Sequence, residues 1–178
     1  MATEIRIQID NVETDVYRDM IIPDDFTAGD LCDIIAALFD WSFEEERHMS
    51  DFDGTVDGAE MVMMHLNGLK FSYKDGLWTA SVTIKGEREG EPPMVTGYSW
   101  KYVTDDVTSP EDLNKIERDG ADASLPDHYL ALKRFAELPR FDINEFNDWL
   151  KNCQRSRLAL GSSAPHTGQN TSFGSSLA

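Results

Sequence analysis

Asp51, Asp53 and Asp57 put three carboxylates on one short stretch that also carries Gly54 and Thr55. Carboxylates so spaced on a turn are hard oxygen ligands, and Ca²⁺ or Mg²⁺ is the cation they would take. An EF-hand loop counted from Asp51 needs Gly at its sixth position and Glu at its twelfth. Those positions are Val56 and Val62, so Asp51, Asp53 and Asp57 make a weak metal site at best, and none is expected. The histidines (His48, His65, His128, His166) and the cysteines Cys32 and Cys153 lack the spacing of zinc ligands. No serine stands in a nucleophile elbow, and no glycine-rich loop is set to cradle a phosphate. No cofactor is expected.

The string Asp51-Phe52-Asp53-Gly54-Thr55-Val56 resembles the first motif of haloacid dehalogenase-type phosphatases. The resemblance implies Asp51 as nucleophile and Asp53 as general acid and base beside Mg²⁺. That chemistry needs the carboxylate at the end of a buried parallel strand. Glu45-Glu46-Arg47-His48-Met49-Ser50 precede it here, which is no sequence for such a strand. The Mg²⁺-dependent hydrolase is therefore the alternative, and an acidic turn is the preferred reading.

A wider constellation is acidic: Asp24, Asp25, Asp30, Asp33, Asp40, Glu44, Glu45 and Glu46. The chain has 33 Asp and Glu against 16 Lys and Arg, a net charge of −17. Residues 1–60 alone hold 17 acidic and 3 basic side chains. Such a field repels phosphate backbones and attracts basic surfaces, so direct nucleic-acid binding is excluded as the first reading. Carboxylates held at phosphate-like spacing would instead occupy the basic channel of a nucleic-acid-binding protein.

The elements that carry these residues read as α+β. Ile5, Ile7 and Ile9 alternate with Glu4, Arg6 and Gln8, a half-buried strand, and Val16 to Ile22 is its hairpin partner. Thr27 caps a helix with Asp30 in capping-box register, and Leu31, Ile34, Ile35, Leu38 and Phe39 form its apolar stripe. An antiparallel meander follows, with a strand over 59–66, Asn67-Gly68 and Asp75-Gly76 turns, and alternation from Trp78 to Ile84. Lys85 to Pro93 reads as a solvated loop, and Tyr98, Trp100 and Tyr102 share one face of the next strand. The last third is helical, with caps at Ser109 and Asp142, and its helices are expected to pack on the sheet. Residues 1–155 make one acidic domain, and the Ser/Gly-rich stretch 156–178 reads as a flexible tail.

This order of residues resembles the plasmid pRiA4b ORF-3-like proteins, also labelled passenger proteins of an IS1096-type element. The resemblance is carried by Val16-Tyr17-Arg18, by Pro23 and Thr27, and by Phe39-Asp40-Trp41 closing the helix. His48 to Phe52, Tyr73 to Trp78, Ser109-Pro110-Glu111-Asp112, and Phe141-Asp142 through Phe146 to Leu150 continue it. Leu113-Asn114 stands where the family has Gly-Gly, and Ala80 where it often has His. The resemblance implies an α+β fold and an origin on plasmids, transposons or phages, and no established activity.

The N-terminus has neither a basic n-region nor an apolar h-region, no apolar run reaches the roughly 20 residues of a membrane span, and two cysteines make no disulfide framework. A cytoplasmic location is expected. Taken together, the sequence reads as a non-enzymatic acidic binding protein whose partner is a basic protein, such as a nucleic-acid-binding nuclease or regulator, with inhibition by nucleic-acid mimicry as the mode. Truncation after Arg155 should leave the melting temperature nearly unchanged, because the removed composition buries little apolar area. A drop of many degrees in a thermal melt would mean that 156–178 docks on the domain.

Overall fold

Alternation in the first strand sets the layout. A computed structural model describes residues 1–121 and 128–155. Ile5, Ile7 and Ile9 of β1 (Ala2–Ile9) are buried on one face, while Arg6 and Gln8 lie on the other. β2 (Tyr17–Ile22) returns antiparallel, with Ile5 opposite Met20. After α1 (Ala28–Phe39) come β3 (Arg47–Asp51), β4 (Gly54–Val56), β5 (Leu69–Tyr73), β6 (Trp78–Arg88) and β7 (Met94–Ser99). All seven strands join one antiparallel sheet in the order β4-β3-β5-β6-β1-β2-β7. The described residues end in three helices, α2 (Pro110–Ala121), α3 (His128–Glu137) and α4 (Ile143–Arg155). The expected α+β architecture, with an N-terminal hairpin and helix and C-terminal helices against the sheet, is the one observed. The expected tail, 156–178, lies outside the described residues. Among the described residues no helix is long and apolar enough to cross a membrane.

The apolar stripe of α1 is fully buried and shares one core with Ile5, Ile7, Phe71, Trp78, Val103, Leu113 and Phe146. Thr27 and Asp30 form the reciprocal capping box, at 3.1 and 3.2 Å. Trp41, just past the helix, stacks on Tyr73 with ring centroids 4.8 Å apart. The opposite face of the sheet is an ionic ladder. Arg6 donates twice to Asp19, at 2.8 and 2.9 Å, and lies over the Tyr17 ring. Lys85 donates to Asp19 at 2.8 Å and Arg88 to Glu4 at 3.2 Å. Burial raises the Asp19 pKa, but the Arg6 and Lys85 hydrogen bonds outweigh it and hold the carboxyl below its ordinary range.

Arg18 of β2 lies on the buried side and is wholly inaccessible. Among the described residues it has no carboxylate partner. Its Nε donates to the Leu38 carbonyl at 3.2 Å, and its terminal nitrogens donate to the carbonyls of Tyr17, Ser99, Trp100 and Lys101 at 2.8 to 3.4 Å. The guanidinium also sits 4.2 Å from the Phe141 ring centroid and 5.0 Å from that of Phe39. One side chain thereby joins the end of α1, the segment after β7 and the start of the last helix.

The two outer strands are finished differently. β4 is only three residues long. On β7, the Asn147 side chain of α4 accepts from Val95 N–H at 2.8 Å and donates to Val95 C=O at 3.0 Å. This primary amide occupies the place of a neighbouring strand's peptide.

Four expectations are corrected. Residues 59–66 are not a strand but turns and a 3-10 segment, Val62–Met64, so Asn67-Gly68 joins no hairpin. The methionines there alternate poorly, and only Val62 of that turn is buried. The acidic stretch after Trp41 instead contains β3 and β4, whose single buried residue each (Met49, Val56) gives no strand pattern. The solvated loop begins later than expected, because β6 continues to Arg88. Tyr98, Trp100 and Tyr102 do not share a strand face: β7 stops at Ser99, and Trp100 takes a left-handed φ of 76° under the hold of Arg18 on both its neighbours' carbonyls.

Replacing Asn147 by Ala should cost about 1–3 kcal/mol in denaturant unfolding, since Val95 is buried and both its polar groups would be orphaned. Exposed Asn144 replaced by Ala should change little, and equal effects of the two would remove the edge-capping role.

Candidate functional site

The segment that carries Glu44–Glu46 is pinned at both ends. Thr104 N–H donates to Phe39 C=O at 2.9 Å, which seats the 103–105 strap against the end of α1. Asp105 then accepts from Ser42 N–H at 2.9 Å and from the Tyr73 hydroxyl at 2.8 Å. Burial, then the neighbouring carboxylate, keep that phenol protonated and well above its usual pKa, and its oxygen also accepts from Ser42 N–H at 3.0 Å. At the far end Lys74 N–H donates to Glu46 C=O at 3.0 Å, and Asp75 N–H to the Glu46 carboxylate at 3.1 Å.

Between this segment, β3 and the first turns of α1 lies a cleft of about 380 Å³. Asp33, Glu45, Glu46, Arg47, His48 and Cys32 line it. Arg47 binds the Asp33 carboxylate at 2.6 Å and the Phe43 carbonyl at 2.7 Å. His48 Nδ1 is 2.6 Å from Glu46, whose carboxyl is held below its ordinary pKa by that hydrogen bond. Burial pushes the Cys32 thiol up to about 12, which leaves it without nucleophilic character at neutral pH. Cys153 is likewise buried and raised to about 11. The cleft floor is tight: Gly29 N–H meets Gly58 C=O at 2.9 Å, and a Cβ on Gly29 would stand 3.1 Å from that oxygen.

The eight acids singled out from the sequence are therefore not one face. Asp30 is occupied as a helix cap, Asp33 by Arg47, and Glu46 by His48 and Asp75. Asp40 closes α1 in a left-handed conformation, φ 59°. Asp24, Asp25, Glu44 and Glu45 are exposed and form no ion pair among the described residues. Asp24 lies with Glu89 in a groove of about 440 Å³ whose walls include Ile22, Pro23 and Pro92. Glu89, which reads from the sequence as loop, thus shares a groove with Asp24. Strong acidity across a β-hairpin was the available signal.

Asp51-Phe52-Asp53-Gly54 is the turn between β3 and β4, near the edge of an antiparallel sheet. The buried parallel strand that nucleophilic chemistry at Asp51 needs is not there. Asp51 accepts from Asp53 N–H at 2.8 Å and pairs with His65 Nδ1 at 2.7 Å. His65 Nε2 lies 3.6 Å from Glu60. His65 was missed in the sequence because its partner is fourteen residues away across a turn. Asp53 and Asp57 are exposed and do not gather with Asp51, and among the described residues no group of three or more His, Cys, Asp and Glu is placed to hold a metal ion.

No protein-family model matches the chain, and no curated protein matches it. Among solved structures, a protein of unknown function, MM3350 from Methanosarcina mazei Go1, is similar with a TM-score of 0.64 at 15% identity. The match covers 80% of this chain and 96% of that one. At that identity the likeness is one of fold.

The Asp51 hydrogen bond raises the His65 pKa above its ordinary 6.5, and the His65 hydrogen bond lowers that of Asp51 below 3.8. The raised imidazole contributes stability that is complete below 6.5 and is lost as pH rises through its folded pKa. The lowered carboxyl contributes above 3.8 and loses it as pH falls through its own. The melting-temperature advantage of the native protein over His65→Gln should therefore be greatest between about pH 4 and 6.5 and shrink at alkaline pH. A difference that grows above pH 8 would contradict the pairing.

Proposed function

We propose that this protein is a non-enzymatic binding module that engages a basic, nucleic-acid-binding protein and competes for the surface where that partner holds its nucleic acid. The observation that supports this best is the division of the acids. The ladder on the sheet, the helix cap and the cleft neutralise Glu4, Asp19, Asp30, Asp33 and Glu46 internally. Asp24, Asp25, Glu44, Glu45, Glu87, Glu89 and Glu91 remain exposed and, among the described residues, without a cation. A chain of net −17 that leaves such carboxylates open carries a field that accelerates encounter with positive surfaces and releases their counterions on contact.

The test starts from affinity capture in native lysate, followed by kinetics with the captured partner. The partner should be basic, should lose nucleic acid as the complex forms, and should be released as ionic strength rises. Reversing Asp24, Asp25, Glu44 and Glu45 to Lys should slow association by about 10- to 1000-fold at low salt while leaving the melting temperature nearly unchanged. A partner whose binding ignores both salt and the four reversals would overturn the reading.

A further inference from the structure

β6 is eleven residues long, but only its first half is covered on both sides. β5 pairs with it from Trp78 to Val82 and stops there, because Leu69, opposite Val82, is the first residue of β5. On the other side β1 follows β6 to Arg88. From Thr83 to Arg88 the β5 side of the strand has no strand partner among the described residues, and every one of these residues is exposed, Ile84 by 56%. This is about 20 Å of open edge in which alternate residues present N–H and C=O outward. Sheets usually guard such edges with charged side chains, most often Lys. Here Lys85 and Arg88 are drawn across to Asp19 and Glu4, at 2.8 and 3.2 Å. The charges left at the edge are Glu87, with Glu89 and Glu91 just beyond it.

We propose that this open edge of β6, Thr83 to Arg88, is a strand-addition site for an extended basic segment of a partner protein. The proposal rests on the binding-module reading above and gives that reading its contact. Backbone hydrogen bonds to β6 supply affinity, Ile84 offers an apolar contact, and Glu87, Glu89 and Glu91 select Lys or Arg on the incoming strand. A second copy of this chain is disfavoured as occupant, because it would bring the same unpaired acids against one another across two molecules of net −17. The bulge between Ile84 and Gly86, where Gly86 has φ 146°, lies on the β1 side and leaves the outer edge open.

The experiment uses the full chain and a synthetic probe, an eight-residue peptide of alternating Lys and Val, beside the same peptide N-methylated at alternate residues. Methylation keeps the charge and removes the outward hydrogen bonds of one edge. The unmodified peptide should bind at low salt, with slowed amide exchange at 83–88, and the methylated one should bind about 10- to 100-fold more weakly, the loss of two or three hydrogen bonds. Equal binding of both peptides would overturn the edge site and leave the charge-based reading standing. Binding of neither would count against both. Protection of 83–88 that grows with protein concentration in the absence of peptide would make a second copy the occupant and overturn the choice of partner.

Discussion

A buried guanidinium whose hydrogen-bond partners among the described residues are all backbone carbonyls is the constraint around which this fold is arranged. Burial pushes the Arg18 pKa down to about 9, so the group is still charged at neutral pH, in surroundings that penalise charge. It is tolerated because five carbonyl oxygens point at it and because the Phe39 and Phe141 rings lie within cation–π distance. Those carbonyls come from the end of α1, from β2 and from three consecutive residues, the last of β7 and the two that follow it. Without the fork, the part-buried carbonyls of residues 99–101 would lose the donor they share. The consequences run on to the surface. The held segment carries Tyr102, whose N–H reaches Pro139 C=O at 3.0 Å, then Thr104 and Asp105, which anchor the loop of Glu44–Glu46. The position of an exposed acidic loop thus traces back to one buried cation.

Charge is used in two ways in this molecule. On the sheet's polar face it is internal and bidentate, with Arg6 on Asp19 and Lys85 sharing the same carboxylate. Around α1 and the β6–β7 hairpin it is left open. Solubility alone accounts for a high net charge. It does not account for a half-covered strand whose basic side chains are engaged by Asp19 and Glu4 while Glu87 is left open. The open edge and the open acids occur together, and both suit an extended basic partner.

The parts of this arrangement that were legible in the sequence are those governed by local rules. Alternating isoleucines gave β1, the Thr27–Asp30 box gave the start of α1, and the Ser109 and Asp142 caps gave α2 and α4. Elements with one buried residue were not legible: β3 and β4 are strands because β5 and their own turn pair them, not because of their side-chain pattern. The candidate site was legible in charge but not in geometry. Whether Asp33 faces solvent or Arg47, or Asp24 lies beside Glu89, depends on contacts between residues far apart in the chain. Arg18 falls in alternation with Val16, Met20 and Ile22, which puts it on the buried face, but nothing local says which carbonyls would receive its charge.

The most direct measurement of this account is the unfolding free energy of Arg18→Lys and Arg18→Met against the native protein. An ammonium keeps the charge but cannot reach five carbonyls in a planar fork, and methionine fills the space with no donor at all. Both variants should lose about 3 kcal/mol or more, and amide exchange at 100–105 should accelerate with them. An Arg18→Met protein within about 1 kcal/mol of the native one, with 100–105 still protected, would contradict the claim that this cation organises the structure.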